Sequence, residues 1–377
     1  MAKKYLKKSV YQASRERIAY LFSEFEKVLV AFSGGKDSGV CLNLAYDYAK
    51  ENNLLHKLAM YHLDYEAQYQ MTTDYVSDCF QNDFPGIEKY WLCLPVSANC
   101  GCRIDSGTWI PWEESKKELW VRDFPDSNYL ITKENCPFEM SEGEKDYDVQ
   151  EKFSQWYSST HGNTAVIIGI RAAESLDRYR AIKSERKVNG YKKSKYILSR
   201  NEITHNAYPI YDWEVADVWT YNAKFEKKYN KLYDLYYQAG LSIDQMRVAN
   251  PFHSCGTETL KLYKVIDPNT WGKMVGRVNG VCFAGIYGGT TAMGWKSITK
   301  PSHFTWKEYC YFLLNTLDEK TKQHYLEKLN TSITFWKEKG GCLDDETISE
   351  LEADSVEFTN RGNVSKYSDK DVISFDD

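Results

Sequence analysis

The sequence predicts an α/β fold, a parallel twisted sheet with flanking helices, followed by a mainly helical C-terminal region. Three observations carry that expectation. Residues 28–32 (Val-Leu-Val-Ala-Phe) run straight into Ser33-Gly34-Gly35-Lys36-Asp37-Ser38, and Val40, Cys41, Leu44, Ala45 and Tyr48 then recur at helix-face spacing. Residues 54–63 read as a second strand once Asn52-Asn53 has broken the helical pattern. Residues 164–170, Thr-Ala-Val-Ile-Ile-Gly-Ile, form an apolar run that suits a central strand buried on both faces. Strands and helices alternating at this spacing indicate βαβ units and a parallel sheet.

The 377 residues exceed one typical domain. The division expected is an α/β domain over residues 1–240, a C-terminal region over 241–342 and an acidic tail over 343–377. Hydrophobic residues make up 42% of the chain and aromatic ones 15%, which supplies a core and argues against disorder. The net charge of −5 does not mark the whole chain for nucleic acid. The basic N-terminus is not followed by an apolar stretch, and no run is long enough to span a membrane. A cytoplasmic location is therefore expected. The ten cysteines then read as thiols, metal ligands or catalytic groups rather than as a disulfide framework.

The strand–glycine turn–helix at residues 28–38 is an anion cradle in its residue types and its context. Gly34 and Gly35 let the backbone come close to a ligand, and the N–H groups of the first helical turn point outward. Lys36 adds positive charge, and the Ser33 and Ser38 hydroxyls can donate to phosphate oxygens. The pattern G-x-x-x-x-G-K-[ST] is absent, so this is not a Walker loop.

Two further candidates stand where strands end, which is where ligands sit in open parallel sheets. Asp64 follows the second strand and could take a ribose hydroxyl or magnesium, or cap a helix. Gly169 and Arg171 follow the apolar run at 164–170. Arg171 could hold a phosphate or sulfate bidentately, or pair with Glu174. A third strand is expected at residues 90–95, followed by an irregular stretch that is rich in Trp and contains Cys93, Cys100, Cys102 and Cys136. Their spacing matches none of the usual paired-cysteine metal sites, so buried thiols are expected and an iron–sulfur cluster is not. Residues 171–200 hold ten Lys/Arg against three acids, with Asn189-Gly190 suggesting a hairpin tip. This stretch reads as a lid over a polyanion, a docking surface for nucleic acid or an acidic partner, or a solvated charged loop. The glycine-rich residues 275–295 suggest short strands and tight turns, and residues 306–317 and 323–336 two amphipathic helices. The tail at 343–377 carries eleven acids and three bases.

Three stretches together resemble one family. Residues 33–38 are similar to the SGGxDS PP-loop of the ATP pyrophosphatase and phosphoadenosine phosphosulfate (PAPS) reductase superfamily. Gly169-Ile170-Arg171-Ala172-Ala173-Glu174-Ser175 and residues 208–219 (Tyr-Pro-Ile-Tyr-Asp-Trp-Glu-Val-Ala-Asp-Val-Trp) follow in the order seen in PAPS reductases. The resemblance continues at residues 229–235. Trp271, Arg277-Val278-Asn279-Gly280, His303-Phe304-Thr305-Trp306 and residues 332–341 resemble the DUF3440 branch, of the immunoglobulin-binding regulator A type. It covers most of residues 15–341.

The resemblance implies an adenine nucleotide α-hydrolase-like fold of the HUP type, with the loop holding the phosphates of ATP or PAPS. It implies magnesium alongside ATP, with Asp37 ordering the loop or ligating the metal, and a ParB-like protein as possible partner in a regulatory role. Catalysis would rest on Lys36, Asp37 and Arg171. The chain departs from PAPS reductases in lacking their Glu-Cys-Gly-Leu/Ile-His segment. Cys342, in Gly340-Gly341-Cys342-Leu343, is the positional analogue, without the neighbouring Glu and His. Three functions follow as expectations: ATP cleavage to AMP and pyrophosphate with adenylation of an acceptor, sulfonucleotide reduction with Cys342, Cys255 or Cys282 as nucleophile, and nucleotide sensing without catalysis.

Overall fold

The structure, a computed structural model, describes residues 7–103, 105–175, 178–179, 181–182, 189–256, 259–288, 290 and 301–339. Its contacts divide the chain into two units, residues 1–103 with 107–293, and residues 104–106 with 294–377.

The first unit is built on strand Lys27–Ala31 (β1), whose Val28, Leu29 and Val30 are buried. Successive side chains of a strand point to opposite faces, and here both faces are covered. Val28 and Val30 join Ile18, Leu21 and Phe22 of helix Val10–Glu24 (α1) and Val40, Leu44 and Ala45 of helix Lys36–Glu51 (α2). Leu29 faces the other way, toward Phe153 and Tyr157 of helix Asp146–His161. The expected parallel sheet is present. Strands Leu58–Leu63 (β2) and Thr164–Ile168 flank β1 in parallel, with Val28 opposite Leu58 on one side and Ala165 on the other.

Helix Gln70–Asp78 (α3) returns the chain to strand Glu88–Leu92 (β3), parallel to β2. A two-residue hairpin pair follows, Ala98–Asn99 (β4) with Thr108–Trp109 (β5). Strand Leu130–Ile131 (β6) then closes one edge beside β3. Helix Asp146–His161 (α4) leads to Thr164–Ile168 (β7), and an antiparallel pair, Ile197–Ser199 (β8) and Thr204–Ala207 (β9), closes the other edge. The seven-stranded sheet has the order β6-β3-β2-β1-β7-β9-β8. The chain leaves β1 toward β2 and returns on its opposite side at β7. The order therefore reverses between β1 and β7, the position at which open α/β sheets bind ligands.

Several expectations are corrected in detail. The second strand begins at Leu58, because Leu55–Lys57 form a 3-10 turn. The third covers Glu88–Leu92 rather than 90–95, and the next stops at Ile168. The hairpin in the basic stretch turns at residues 200–203, between β8 and β9; Gly190 instead bridges to Leu198. Residues 275–295 were expected to form short strands and tight turns; in place of strands the described residues 275–277 and 281–287 lie in helices Pro268–Arg277 and Val281–Tyr287, with a turn between them. Two of this stretch's glycines, Gly285 and Gly280, serve helix packing and reversal there. A Cβ on Gly285 would lie 2.2 Å from the Trp271 ring, so the helices meet only because that hydrogen is small. Gly280, at φ +85°, turns the chain between them. The second unit contains the two expected helices, Trp306–Leu314 and Glu319–Lys339. Among the described residues no helix is long and apolar enough to cross a membrane. The tail at 343–377 lies outside the described residues.

Overpacking a tight contact costs about 1–3 kcal/mol. Gly285→Ala is therefore expected to lower the unfolding free energy, measured by denaturant titration, by that amount, and the midpoint with it. Gly272→Ala, in the partner helix with no atom within 4 Å of its added methyl group, is expected to leave the midpoint unchanged or raise it.

Candidate functional site

The glycine loop connects the end of β1 to the start of α2, and its internal bonds follow from its residue types. Gly34 takes φ +75°, a left-handed conformation that side chains rarely adopt, and a Cβ there would lie 2.8 Å from Val76. The Ser33 and Ser38 hydroxyls share a hydrogen bond of 2.9 Å, and Ser38 Oγ accepts from the Ser33 N–H at 3.2 Å and donates to the Gly35 carbonyl at 3.2 Å. The Gly35 N–H donates to Ser33 Oγ at 3.3 Å. Gly35 is the N-cap of α2 and brings no side-chain cap, so the first turn's donors must find partners elsewhere.

One partner comes from far along the chain. The Lys36 N–H donates to the Tyr233 hydroxyl at 3.0 Å, and the Lys36 ammonium donates to the Met246 carbonyl at 3.0 Å while sitting 5.4 Å from the Tyr233 ring centre. The Lys36 side chain is only 4% exposed. Asn230 Nδ2 donates to the Gly34 carbonyl at 3.3 Å and to Thr72 Oγ1 at 2.9 Å. Burial holds the Tyr233 phenol well above its ordinary range, so it stays protonated.

The second half of the site comes from β7. Gly169 lies so close to the loop that a Cβ would fall 2.9 Å from both the Asp37 carbonyl carbon and the Ser38 nitrogen. This contact brings Arg171 onto Asp37. Arg171 Nε donates to Asp37 Oδ1 at 2.5 Å, while Asp37 Oδ2 lies 3.3 Å from the Lys36 ammonium. The Arg171 side chain is 4% exposed and that of Asp37 16%. Arg171 therefore pairs across the switch point rather than with Glu174, which instead takes Arg178 and, at 4.0 Å, Arg247. Of the residues expected in the site, Ser33 through Ser38, Gly169 and Arg171 are brought together.

Asp64 is not free for the role expected of it. It stands at the end of β2, but it is 1% exposed and both carboxylate oxygens are engaged. Oδ1 accepts from the Glu66 N–H at 2.8 Å, and Oδ2 accepts from Trp91 Nε1 at 2.7 Å and from Arg122. Nor does it cap α3, whose N-cap is Tyr69. Burial raises its carboxyl, but Arg122, His62 and the Trp91 N–H outweigh that and hold it below the ordinary range. Beside it, Glu66 at φ +65° accepts from Arg277 at 2.9 and 3.2 Å and from the N–H groups of Trp112 and Val121. This cluster ties the helix Pro268–Arg277 to the end of β2.

Among the described residues no set of three or more His, Cys, Asp or Glu side chains is placed to hold a metal ion. Both oxygens of Asp37 already face cationic side chains, which fits ordering of the loop better than metal ligation. Cys282 is exposed on the helix Val281–Tyr287, the backbone of Cys255 lies in a 3-10 turn, and Cys342 lies outside the described residues. Of the basic stretch, Lys192 pairs with Glu24, and Arg180, Lys183, Arg186 and Lys187 lie outside the described residues. Sequence reasoning missed Asn230, Tyr233 and Met246 as parts of the site. The first two stand in the stretch that carried the family resemblance; Met246 contributes only a main-chain carbonyl, which leaves no residue-type signal.

A glycine loop with a buried lysine at the switch point of a mostly parallel sheet defines a nucleotide-binding fold of the PAPS reductase type. Residues 129–243 match the profile of the phosphoadenosine phosphosulfate reductase domain, and residues 240–377 match that of a domain of unknown function, DUF3440. The chain is 35% identical over 337 residues to the uncharacterized protein YbdN of Escherichia coli K12, covering 88% of this chain and 81% of that one. It belongs to the family of PAPS reductase-like proteins that carry a DUF3440 region. Solved structures with related features are more distant. The Candida glabrata FMN adenylyltransferase with FMN and an ATP analogue is 13% identical over 61% of this chain, TM-score 0.36, and the match spans 62% of that enzyme's length. The PAPS reductase of Candida auris is 15% identical over 62% of this chain and 94% of its own, TM-score 0.33.

Gly169→Ala tests the geometry directly. Its methyl group must push backbone rather than a side-chain tip, so the loop shifts against β7. The overpacked contact is expected to lower the unfolding free energy, measured by denaturant titration, by about 1–3 kcal/mol, while far-ultraviolet dichroism stays unchanged. Unchanged stability would show that the loop does not need this contact.

Proposed function

We propose that the chain binds MgATP in the crevice between the ends of β1 and β7 and cleaves it between the α and β phosphates. An acceptor takes the adenylyl group, pyrophosphate leaves, and AMP follows when the adenylyl bond is displaced. The observation that carries this reading is the state of Lys36. Its ammonium is nearly buried, yet two of its three closest partners are a neutral carbonyl and an aromatic face. The third, the Asp37 carboxylate, is shared with Arg171, so two buried cations face one carboxylate. The excess positive charge favours an anion, and a phosphate oxygen can replace the Met246 carbonyl.

The chain's own groups divide the work. Lys36 and the first-turn N–H groups of α2 would hold the leaving pyrophosphate, where negative charge develops. Ser33 and Ser38 would turn their hydroxyls from each other to phosphate oxygens. Arg171, fixed by Asp37, would face the transferring group. Magnesium would enter with the nucleotide as part of the substrate, and it neutralises phosphate charge when bound. Asp37 orders Lys36 and Arg171 and needs no metal for that.

Mass spectrometry of nucleotides after incubation with MgATP, and in parallel with PAPS, tests this reading. AMP with pyrophosphate is the expected outcome. Sulfite with adenosine bisphosphate from PAPS would replace it with reduction, and failure to bind either nucleotide would refute it. Lys36→Met removes a charge-assisted bond of about 1.5–3 kcal/mol and is expected to weaken nucleotide binding about 10- to 150-fold.

A further inference from the structure

We propose that the groove between helix α3 and the helix Val215–Lys224, with the turn that follows it, is a binding site for a linear aliphatic polyamine. Helix α3 supplies Met71, Asp74, Tyr75 and Asp78 to one wall. The helix Val215–Lys224 supplies Asn222 and Ala223, and residues from 226 to 231 complete the other wall. The groove has a volume of about 680 Å³, within the about 300–1,000 Å³ common to small-molecule sites. It is distinct from the nucleotide crevice. None of residues 33–38 lines it, and Thr72 and Val76, which approach Gly34, stand on another face of α3.

Two observations point to a ligand. Asn222 is only 5% exposed, yet its side-chain amide has no hydrogen-bond partner among the described residues. What remains accessible of that side chain faces the groove it lines. A buried amide without a partner is costly, and here the fold leaves it open to whatever enters. The second observation is charge. Asp74 and Asp78 accept only from neutral amides, Gln70 Nε2 at 2.8 Å and Asn82 Nδ2 at 3.3 Å. The lysines of the groove are taken by other acids, Lys227 by Asp47 at 2.7 Å, Lys228 by Asp83 at 2.5 Å and Lys231 by Asp234 at 3.5 Å. Among the described residues no cation pairs with Asp74, Asp78 or Glu226, so the groove keeps three uncompensated negative charges.

The arrangement of these groups describes the ligand. Among the described residues no three His, Cys, Asp or Glu side chains come together as a metal site, so the carboxylates are spread along the groove. An extended molecule with separated positive charges meets that spread, and a single ion does not. Asp74 and Asp78 are one turn apart on α3, with about 5–6 Å between Cβ atoms, a spacing that ammonium groups on a short methylene chain can match. The methylenes would lie on Met71, Ala223 and the Tyr75 ring. An ammonium beside Asn222 donates to its amide oxygen, a hydrogen bond strengthened by the charge of the donor. Exposed ion pairs are individually weak, so the buried amide is what separates this groove from an ordinary acidic surface.

Titration calorimetry of the full-length protein with spermidine, at about 0.15 M salt and without nucleotide, tests the proposal independently of what the glycine loop binds. Saturable binding of one spermidine per chain is expected. Asn222→Leu changes no charge and is expected to weaken it at least about tenfold. Asp74→Asn combined with Asp78→Asn is expected to weaken it about 2- to 30-fold. The proposal is overturned if spermidine shows no saturable binding. It is also overturned if either variant, folded as the wild type is, binds with wild-type affinity, since the cation is then held by acidic residues elsewhere. A lysine-rich decapeptide that binds through these residues where spermidine does not would assign the groove to a protein partner and overturn it too. Asp74 and Asp78 are exposed, so the double variant decides the matter even where Asn222→Leu fails to fold.

Discussion

Where Gly169 meets the first turn of α2, two backbones approach more closely than any side chain would permit, and the rest of the site follows from that approach. A Cβ at 169 would lie 2.9 Å from the Asp37 carbonyl carbon and the Ser38 nitrogen. With only a hydrogen there, the end of β7 reaches the loop that leaves β1. Arg171 then lies within bonding distance of Asp37, which in turn faces Lys36. A nearly buried guanidinium and a nearly buried ammonium thus share one carboxylate. Each cation alone would be costly to bury; together with Asp37 they keep net positive charge at the place where the strand order reverses.

The C-terminal part of the chain takes part in this arrangement. Residues on both sides of position 240, where the two family profiles meet, act on the same few atoms. Tyr233 and Met246 satisfy the main-chain and side-chain donors of Lys36. Further along, Arg277 is buried against Glu66, whose positive φ is held by the N–H groups of Trp112 and Val121 on the same carboxylate. The nearby Asp64 is likewise consumed by Trp91 and Arg122. The end of β2 therefore serves as an anchor for the later helices, whereas the ends of β1 and β7 carry the glycine loop and Arg171.

The central sheet could be read from the sequence because its strands are apolar on both faces and are punctuated by glycines or by an abrupt charge, as at Ser33-Gly34-Gly35 and at Arg171. The loop could be read for the same reason. The edges could not. β6 has two residues and β8 three, too few for any periodicity to show. Residues 275–295 misled because glycine signals both turns and close helix contacts, and only the neighbour, Trp271 for Gly285, distinguishes them. Asp64 stands where a ligand residue would, but its partners Trp91 and Arg122 come from other elements, and strand-end position says nothing of them. Tyr233 was visible as part of a motif but not as a partner of Lys36.

The acceptor facing Lys36 is the main-chain oxygen of Met246. Every amino acid presents that atom, so the identity of residue 246 is under little constraint from this contact, and side-chain replacement there leaves the oxygen in place. What matters is the path of the chain through residues 246–248. The contact would respond instead to changes in segment length, such as a deleted or inserted residue. An inventory of invariant side chains would overlook one of the closest neighbours of the lysine.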